Sequence, residues 1–249
     1  MSGHSKWAQI KRKKAKNDQQ RGKLFSKLIR EITVAGRTGG GDPKGNMRLK
    51  AAIEEAKAVN MPADTLKRAV QKGTGELPGE SYEEVTYEGY GPGGVAIMVR
   101  VLTDNKNRTA PEIRHTFSKF GGNLGDIGCV SWMFERKGII RVEGGMEEDE
   151  LLTLALEAGA LDLRGDGKAF EVVTAPEELE RVRKTLEERG VPISQAELTL
   201  IPQSTVHLEG KDAQQVLRLV ETLEEYDDVQ TVYANFDIPD EVLESLSTA

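Results

Sequence analysis

The stretch from Gly138 to Ile201, GIIRVEGGMEEDELLTLALEAGALDLRGDGKAFEVVTAPEELERVRKTLEERGVPISQAELTLI, decides the fold. Ile139–Val142 is apolar and short enough for a strand, and Glu147–Ala158 carries the spacing of an amphipathic helix. Leu161–Arg164 and Ala169–Val173 read as two further strands. Thr174-Ala-Pro-Glu177 matches a capping box with proline early in the first turn, and opens a helix through Leu179, Val182 and Leu186 that Gly190 stops. Glu197–Ile201 closes the stretch as a strand. The order is β-α-β-β-α-β, that of the ferredoxin-like unit.

Working outward, the N-terminal flank offers strands at Glu84–Tyr90 and Val95–Thr103. A second capping box, Thr109-Ala-Pro-Glu112, then opens a helix through Ile113, Phe117 and Phe120 that ends at Gly121-Gly122. Cys129–Glu135 reads as a strand with Val130, Trp132 and Phe134 on one face. The C-terminal flank offers strand Thr205–Leu208, helix Asp212–Glu225 and strand Val229–Ala234. Two β-α-β flanks around a complete unit predict pairing across it. The expected architecture is therefore α/β (α+β), with a ferredoxin-like domain at 138–201 inserted into a discontinuous middle domain, 81–137 with 202–249. One larger mixed sheet is the alternative.

Upstream the pattern is helical. Asp18 is placed to cap a helix in which Leu24, Leu28 and Ile32 recur every four residues, ending before Gly39-Gly40-Gly41. Asn46 is placed to cap a second helix with Leu49, Ile53 and Ala56 on one face. Pro62 starts a third, carrying Leu66, Ala69 and Val70 and stopping at Gly73, before a Gly/Pro-rich linker to Ser81. Residues 1–80 are expected to form a basic arm and a three-helix domain.

The whole chain has 249 residues and a net charge of −7, with 38% hydrophobic and 30% charged residues. No apolar run of about 18 residues is present, so no membrane helix is expected, and the basic N-terminus lacks the apolar core of a secretory signal. One cysteine, Cys129, excludes an internal disulfide. A monomeric cytoplasmic protein is expected. The average charge conceals a gradient. Residues 1–80 hold 18 Lys and Arg against 8 Asp and Glu, while the other 169 hold 16 against 33. A chain that is +10 at one end and −17 over the rest has a polyanion-binding end on an acidic body.

Enzyme motifs are weak. Gly89-Tyr-Gly91-Pro-Gly-Gly94 fits G-x-G-x-x-G, but the β-rich run Val95–Val101 follows where a dinucleotide site needs a helix, so a turn is expected. The loop Gly39–Gly45 contains Lys44 but no Gly-Lys-Ser/Thr, so it lacks the phosphate-cradling motif. His4, His115 and His207 are far apart, and Cys129 falls in a predicted buried strand. The acids Glu147-Glu148-Asp149-Glu150 sit at a helix start, where they suit the helix dipole. No catalytic residue, metal site, cofactor or small-molecule substrate is predicted.

The basic arm carries the functional signal. His4, Lys6, Trp7, Lys11, Arg12, Lys13, Lys14 and Lys16 fall within thirteen residues, a density that attracts phosphates by counterion release. Trp7 adds a stacking surface. Lys23, Lys27 and Arg30 extend the basic face onto the first helix. A secondary candidate is the polar loop Asp104-Asn-Lys-Asn-Arg108, with Lys106, Asn107 and Arg108.

Several blocks are recognisable. Gly3-His-Ser-Lys-Trp7 with the basic run resembles the N-terminus of the YebC family, as do Met61-Pro and Tyr87-Glu-Gly-Tyr-Gly-Pro-Gly-Gly94. Thr103-Asp-Asn-Lys-Asn-Arg-Thr109 and Trp132-Met-Phe-Glu-Arg-Lys-Gly138 resemble it too. The resemblance runs from residue 3 to the final strand, while Asn46-Met-Arg-Leu49 departs from the Asn-Pro-x-Leu often seen there. It implies a three-domain α/β protein and a non-enzymatic transcriptional regulator that binds DNA. The alternative it implies is a ribosome-associated translation factor binding ribosomal RNA and relieving proline-rich stalls.

Overall fold

The computed structural model describes residues 18–143, 146–165, 169–239 and 242, with side chains from residue 22 onward. Three helices come first: α1 (Asp18–Gly39), α2 (Met47–Ala58) and α3 (Ala63–Thr74). They share a core of Leu28, Ile32, Ala35, Leu49, Ala52, Ala56, Met61 and Ala69. α1 and α3 cross closely because Gly73 has no side chain; a Cβ there would lie 2.4 Å from the Thr33 carbonyl oxygen. Asn46 caps α2 as expected, accepting from the Leu49 amide at 3.0 Å, and its amide donates to the Ala35 carbonyl at 2.7 Å. That second bond fastens the helix connection to α1.

The first sheet has the order β3-β1-β2-β9, built from β1 (Glu83–Tyr90), β2 (Ala96–Thr103), β3 (Asn123–Leu124) and β9 (Val229–Ala234), all antiparallel. The expected G-x-G-x-x-G turn joins β1 to β2, with Gly93 and Gly94 at φ 69° and 78°. α4 (Lys106–Lys119) and α7 (Gly210–Glu225) cover one face. There Val95, Ile97, Val99 and Val101 pack on Ile113, Phe117, Val216 and Val220.

Between β3 and β9 the chain builds a second antiparallel sheet. Its elements are β4 (Phe134–Glu143), α5 (Glu148–Ala158), β5 (Asp162–Gly165), β6 (Ala169–Thr174), α6 (Leu179–Glu188) and β7 (Ile193–Pro202). The order β5-β6-β4-β7 is the ferredoxin-like one, with α5 and α6 over Ile140, Val142, Phe170 and Val172. β8 (Val206–His207) and β10 (Phe236–Asp237) form a short parallel ribbon. The fold is thus mixed α/β, a helical region followed by two sheet units.

Four local expectations are corrected. α4 starts at Lys106, capped by Asn105, so Thr109 lies inside it and its hydroxyl reaches Thr103 and Asp228. The motif at Thr174 does not cap either: its hydroxyl donates to the Ala175 carbonyl, and Pro176–Glu178 form a 3-10 turn before α6. Cys129–Glu135 is not a strand. A turn and a 3-10 segment, Ser131–Met133, occupy most of it, so Trp132 is 65% exposed while Val130 and Phe134 are buried. The strand begins at Phe134 and runs unbroken to Glu143, merging two predicted strands and starting four residues before Gly138.

Candidate nucleic-acid interface

His4, Lys6, Trp7, Lys11, Arg12, Lys13, Lys14 and Lys16 lie outside the described residues. Lys23, Lys27 and Arg30 are on α1 at i, i+4 and i+7, so they form one stripe. The stripe faces the end of α7. Lys27 Nζ donates to the Glu224 carbonyl at 2.6 Å, and Lys23 Nζ to the Glu225 carbonyl at 3.5 Å. These are among the last carbonyls of a helix, where unpaired oxygens and the dipole favour cations. Arg30 Nη1 pairs with Asp228 Oδ1 at 2.8 Å, and its guanidinium lies 5.5 Å from the centre of the Tyr82 ring.

Asp228 is the junction of this interface. It stands just before β9, only 6% exposed. Its Oδ2 accepts from Arg108 (2.9 Å), Thr103 (2.9 Å) and Thr109 (2.7 Å). Burial alone pushes this carboxyl up. The hydrogen bonds from Arg108, Thr109 and Thr103, with the charge of Arg30, outweigh that and hold it below the ordinary aspartate value. The structure thus brings together on one carboxylate two cations that the sequence placed in separate candidates, Arg30 and Arg108.

The secondary candidate is helical, not a loop. Lys106, Asn107 and Arg108 form the first turn of α4, with the Asn105 side chain accepting from the Arg108 amide at 3.1 Å. Asn107 is exposed. Lys106 pairs with Glu83 at 2.5 Å and Arg108 with Asp104 at 2.8 Å. Hydrogen bonds to Asp228 and then Asp104 keep the Arg108 guanidinium above its usual pKa.

A second set of charges joins α1 and α2 to the first sheet in a closed ring. Arg48 bonds Glu31 (2.6 Å) and Glu84 (2.9 Å), and Arg100 bonds Glu31 (3.0 Å) and Glu84 (2.9 Å). Burial works against the Glu84 charge, but bonds from Arg100 and Arg48 prevail and lower its pKa. Arg37, near the end of α1, donates to the Ser81 hydroxyl at 2.6 Å and to the Tyr82 carbonyl.

Other cations remain directed to solvent. Lys44, Lys57, Lys67, Arg68 and Lys72 are exposed, and their side chains have no ion pair or hydrogen-bond partner among the described residues. Lys44, Lys50 and Lys57 line an open groove of about 380 Å³ beside the exposed Met47. These residues were missed in the sequence, although the polar side of an amphipathic α3 was a usable signal for Lys67, Arg68 and Lys72. Asp228 had no such signal. Its partners are up to 198 residues away.

The remaining chemical candidates stay apart. His207 contacts Glu209 (3.2 Å) and Asp237 (3.4 Å), which raise its pKa, Glu209 chiefly. Cys129 sits in a loop rather than a strand, its thiol pushed up by burial and by the Glu88 charge. Glu88 is buried and holds that loop through the amides of Gly128, Val130 and Ser131 at 2.8–2.9 Å. Among the described residues no group of His, Cys, Asp or Glu is arranged to hold a metal ion. No described helix is long and apolar enough to cross a membrane.

Comparison with known proteins now places the chain. Residues 5–76 match the TACO1/YebC protein N-terminal domain, and residues 82–236 match the TACO1/YebC second and third domain. The chain belongs to the TACO1/YebC family. A relative from Pelotomaculum thermopropionicum is 60% identical over 243 residues, covering 96% of this chain and 100% of its own. One from Dictyoglomus turgidum is 58% identical over 249 residues, covering 99% and 100%. Both are called "Probable transcriptional regulatory protein". The crystal structure of a conserved hypothetical protein from Aquifex aeolicus superposes with a TM-score of 0.82 at 56% identity, covering 91% of this chain and 94% of that one.

Proposed function

We propose that this chain is a non-enzymatic regulator that binds nucleic acid through its basic arm and helical unit, with DNA as the polyanion. The observation that carries the reading is the charge gradient, +10 over residues 1–80 in a chain of net −7. The solvent-directed cations of α2 and α3 support it, because they add phosphate contacts on the same unit as the arm. The acidic sheet units face away from the phosphates, since like charge is repelled. The names of the relatives support regulation.

The helix connection favours a second reading. Residues 40–46 separate α1 from α2 and are tied back by Asn46, whereas a helix-turn-helix reader needs a short turn of about 3–4 residues. A unit that grips phosphates without an aligned reading helix also suits ribosomal RNA, where shape positions the protein. We further infer three domains, 1–80, 81–137 with 202–249, and 138–201; limited proteolysis tests them.

The functional test is comparative binding at one salt concentration. Duplex DNA should bind with a log K against log salt slope of about −4 to −5 if about five cations meet phosphates. Deleting residues 1–17 should remove most of that affinity. Preference for one promoter over scrambled DNA by about a thousandfold favours the regulator. Equal binding to both, with stable co-sedimentation with ribosomes, favours the RNA reading. A flat salt titration defeats both.

A further inference from the structure

We propose that the acidic end of α7 acts as a built-in competitor for polyanion. The Glu224 and Glu225 carbonyls and the Asp228 carboxylate engage the Lys23, Lys27 and Arg30 stripe of α1 until nucleic acid displaces them. The inference rests on the reading of α1 as part of the phosphate-binding surface.

Three observations carry it. Each of the three cations meets an acceptor within the same five residues of chain, Glu224 to Asp228, about 200 positions downstream. They are also the kind of group a phosphate oxygen replaces directly: helix-terminal carbonyls and a carboxylate.

The joint is made of polar contacts. The core of the helical unit contains only residues of that unit, and the core under α4 and α7 contains none of them. The contacts of the stripe itself are hydrogen bonds and an ion pair, so opening them costs mainly electrostatic energy, and a phosphate lattice offsets electrostatics in kind.

The third observation concerns Asp228 itself. Arg30 binds Oδ1, whereas Arg108, Thr103 and Thr109 all bind Oδ2. When α1 leaves, the carboxylate keeps three donors and is not left as an uncompensated buried charge, which is the usual obstacle to breaking such a pair. Asp228 therefore tolerates the loss of its α1 partner. While it is closed, affinity for polyanion is reduced by the fraction of molecules that are open.

The test uses the full chain with the native cysteine replaced, Cys129→Ser. In a Lys23→Cys, Glu225→Cys variant, a short bis-maleimide bridge locks α1 to α7, and capping both thiols with N-ethylmaleimide gives the unlocked control. Lys23→Cys removes the longest of the three contacts, at 3.5 Å, in both forms alike, and the Lys27 and Arg30 contacts stay in place. The locked form should bind a 20-base-pair duplex at least about tenfold more weakly than the capped form at the same salt. In the otherwise unmodified chain, Asp228→Asn should bind about fivefold more tightly, because the competing charge is gone. Equal affinity of locked and capped forms overturns the competitor. Lys27→Glu separates this from failure of the underlying reading. If it leaves affinity unchanged, α1 is not part of the site, and the competitor falls together with that reading of α1, while binding through the arm is judged by the deletion of residues 1–17. If it weakens binding while locking has no effect, only the competitor falls.

Discussion

The three-helix unit and the second sheet both meet the first sheet on the same face of β2, and they are held there by opposite forces. Alternation puts Ala96, Met98 and Arg100 on that face. Ala96 and Met98 join Val130, Phe134, Leu200 and Tyr233 in an apolar cluster linking the two sheets. Two residues further along, Arg100 enters the ring with Glu31, Arg48 and Glu84. One strand therefore carries a greasy joint at one end and an ionic joint at the other. Burial of apolar surface is non-directional and indifferent to moderate salt, so the sheets should move as one body. Ion pairs are screened and worth little when exposed, so the helical unit should be the part that moves.

The largest expected effect tests the apolar joint. Phe134→Ala should destabilise the protein by about 3–5 kcal/mol in urea unfolding, the range for truncating a buried aromatic. The loss should be the same at low and high salt. A loss under about 1 kcal/mol would mean the sheets are held by something else.

Next in size is the buried carboxylate that shapes the loop beside this joint. Glu88→Ala leaves the amides of Gly128, Val130 and Ser131 without their acceptor and should cost about 2–3 kcal/mol. Hydrogen exchange should speed up at those three amides first. Ile127 at 90% exposure and Trp132 would then lose the rigid turn that presents them, and the Trp132 fluorescence anisotropy should fall.

The ionic joint should respond to acid. Asp228 and Glu84 both have depressed folded-state pKa values, from references of 3.8 and 4.5. A depressed carboxyl contributes stability that is fully present above its unfolded pKa and is lost as pH falls through the folded value. The joint should therefore hold at neutral pH and fail below about pH 4. Exchange at the α1 amides should accelerate in that window before exchange in β2. Simultaneous loss of both would show that the joints are not independent.

The smallest effect concerns the ring. Glu31→Gln should cost about 1 kcal/mol at low salt and less at 1 M salt, since its partners are partly exposed. A salt-independent loss would assign the contact to packing instead.

The β-α-β-β-α-β order was legible because each of its elements shows its own period, and short loops leave few ways to join them. Two incomplete flanks predicted pairing across the unit, and the structure supplies the particular strands, β9 beside β2. The Asn46 cap was legible as well, since a cap is a contact across three residues. Capping boxes at Thr109 and Thr174 misled because their hydroxyls found better acceptors or a tighter turn, which local sequence does not encode. The Cys129–Glu135 alternation misled because the Glu88 carboxylate gathers the amides of Gly128, Val130 and Ser131 and bends the chain.

By itself, the sequence determined that one end of this protein is cationic, that the helices precede the sheets, and that a ferredoxin-like unit lies within the chain. Composition and periodicity are local quantities and survive without a fold. Only the tertiary structure decided which cations are available. Lys23, Lys27 and Arg30 look like continuations of the basic arm, yet they face α7 and Asp228, while Lys67, Arg68 and Lys72 point to solvent. The reason is physical: a charge is free or paired according to what lies within about 4 Å of it, and the groups that decide this come from nearly 200 residues away.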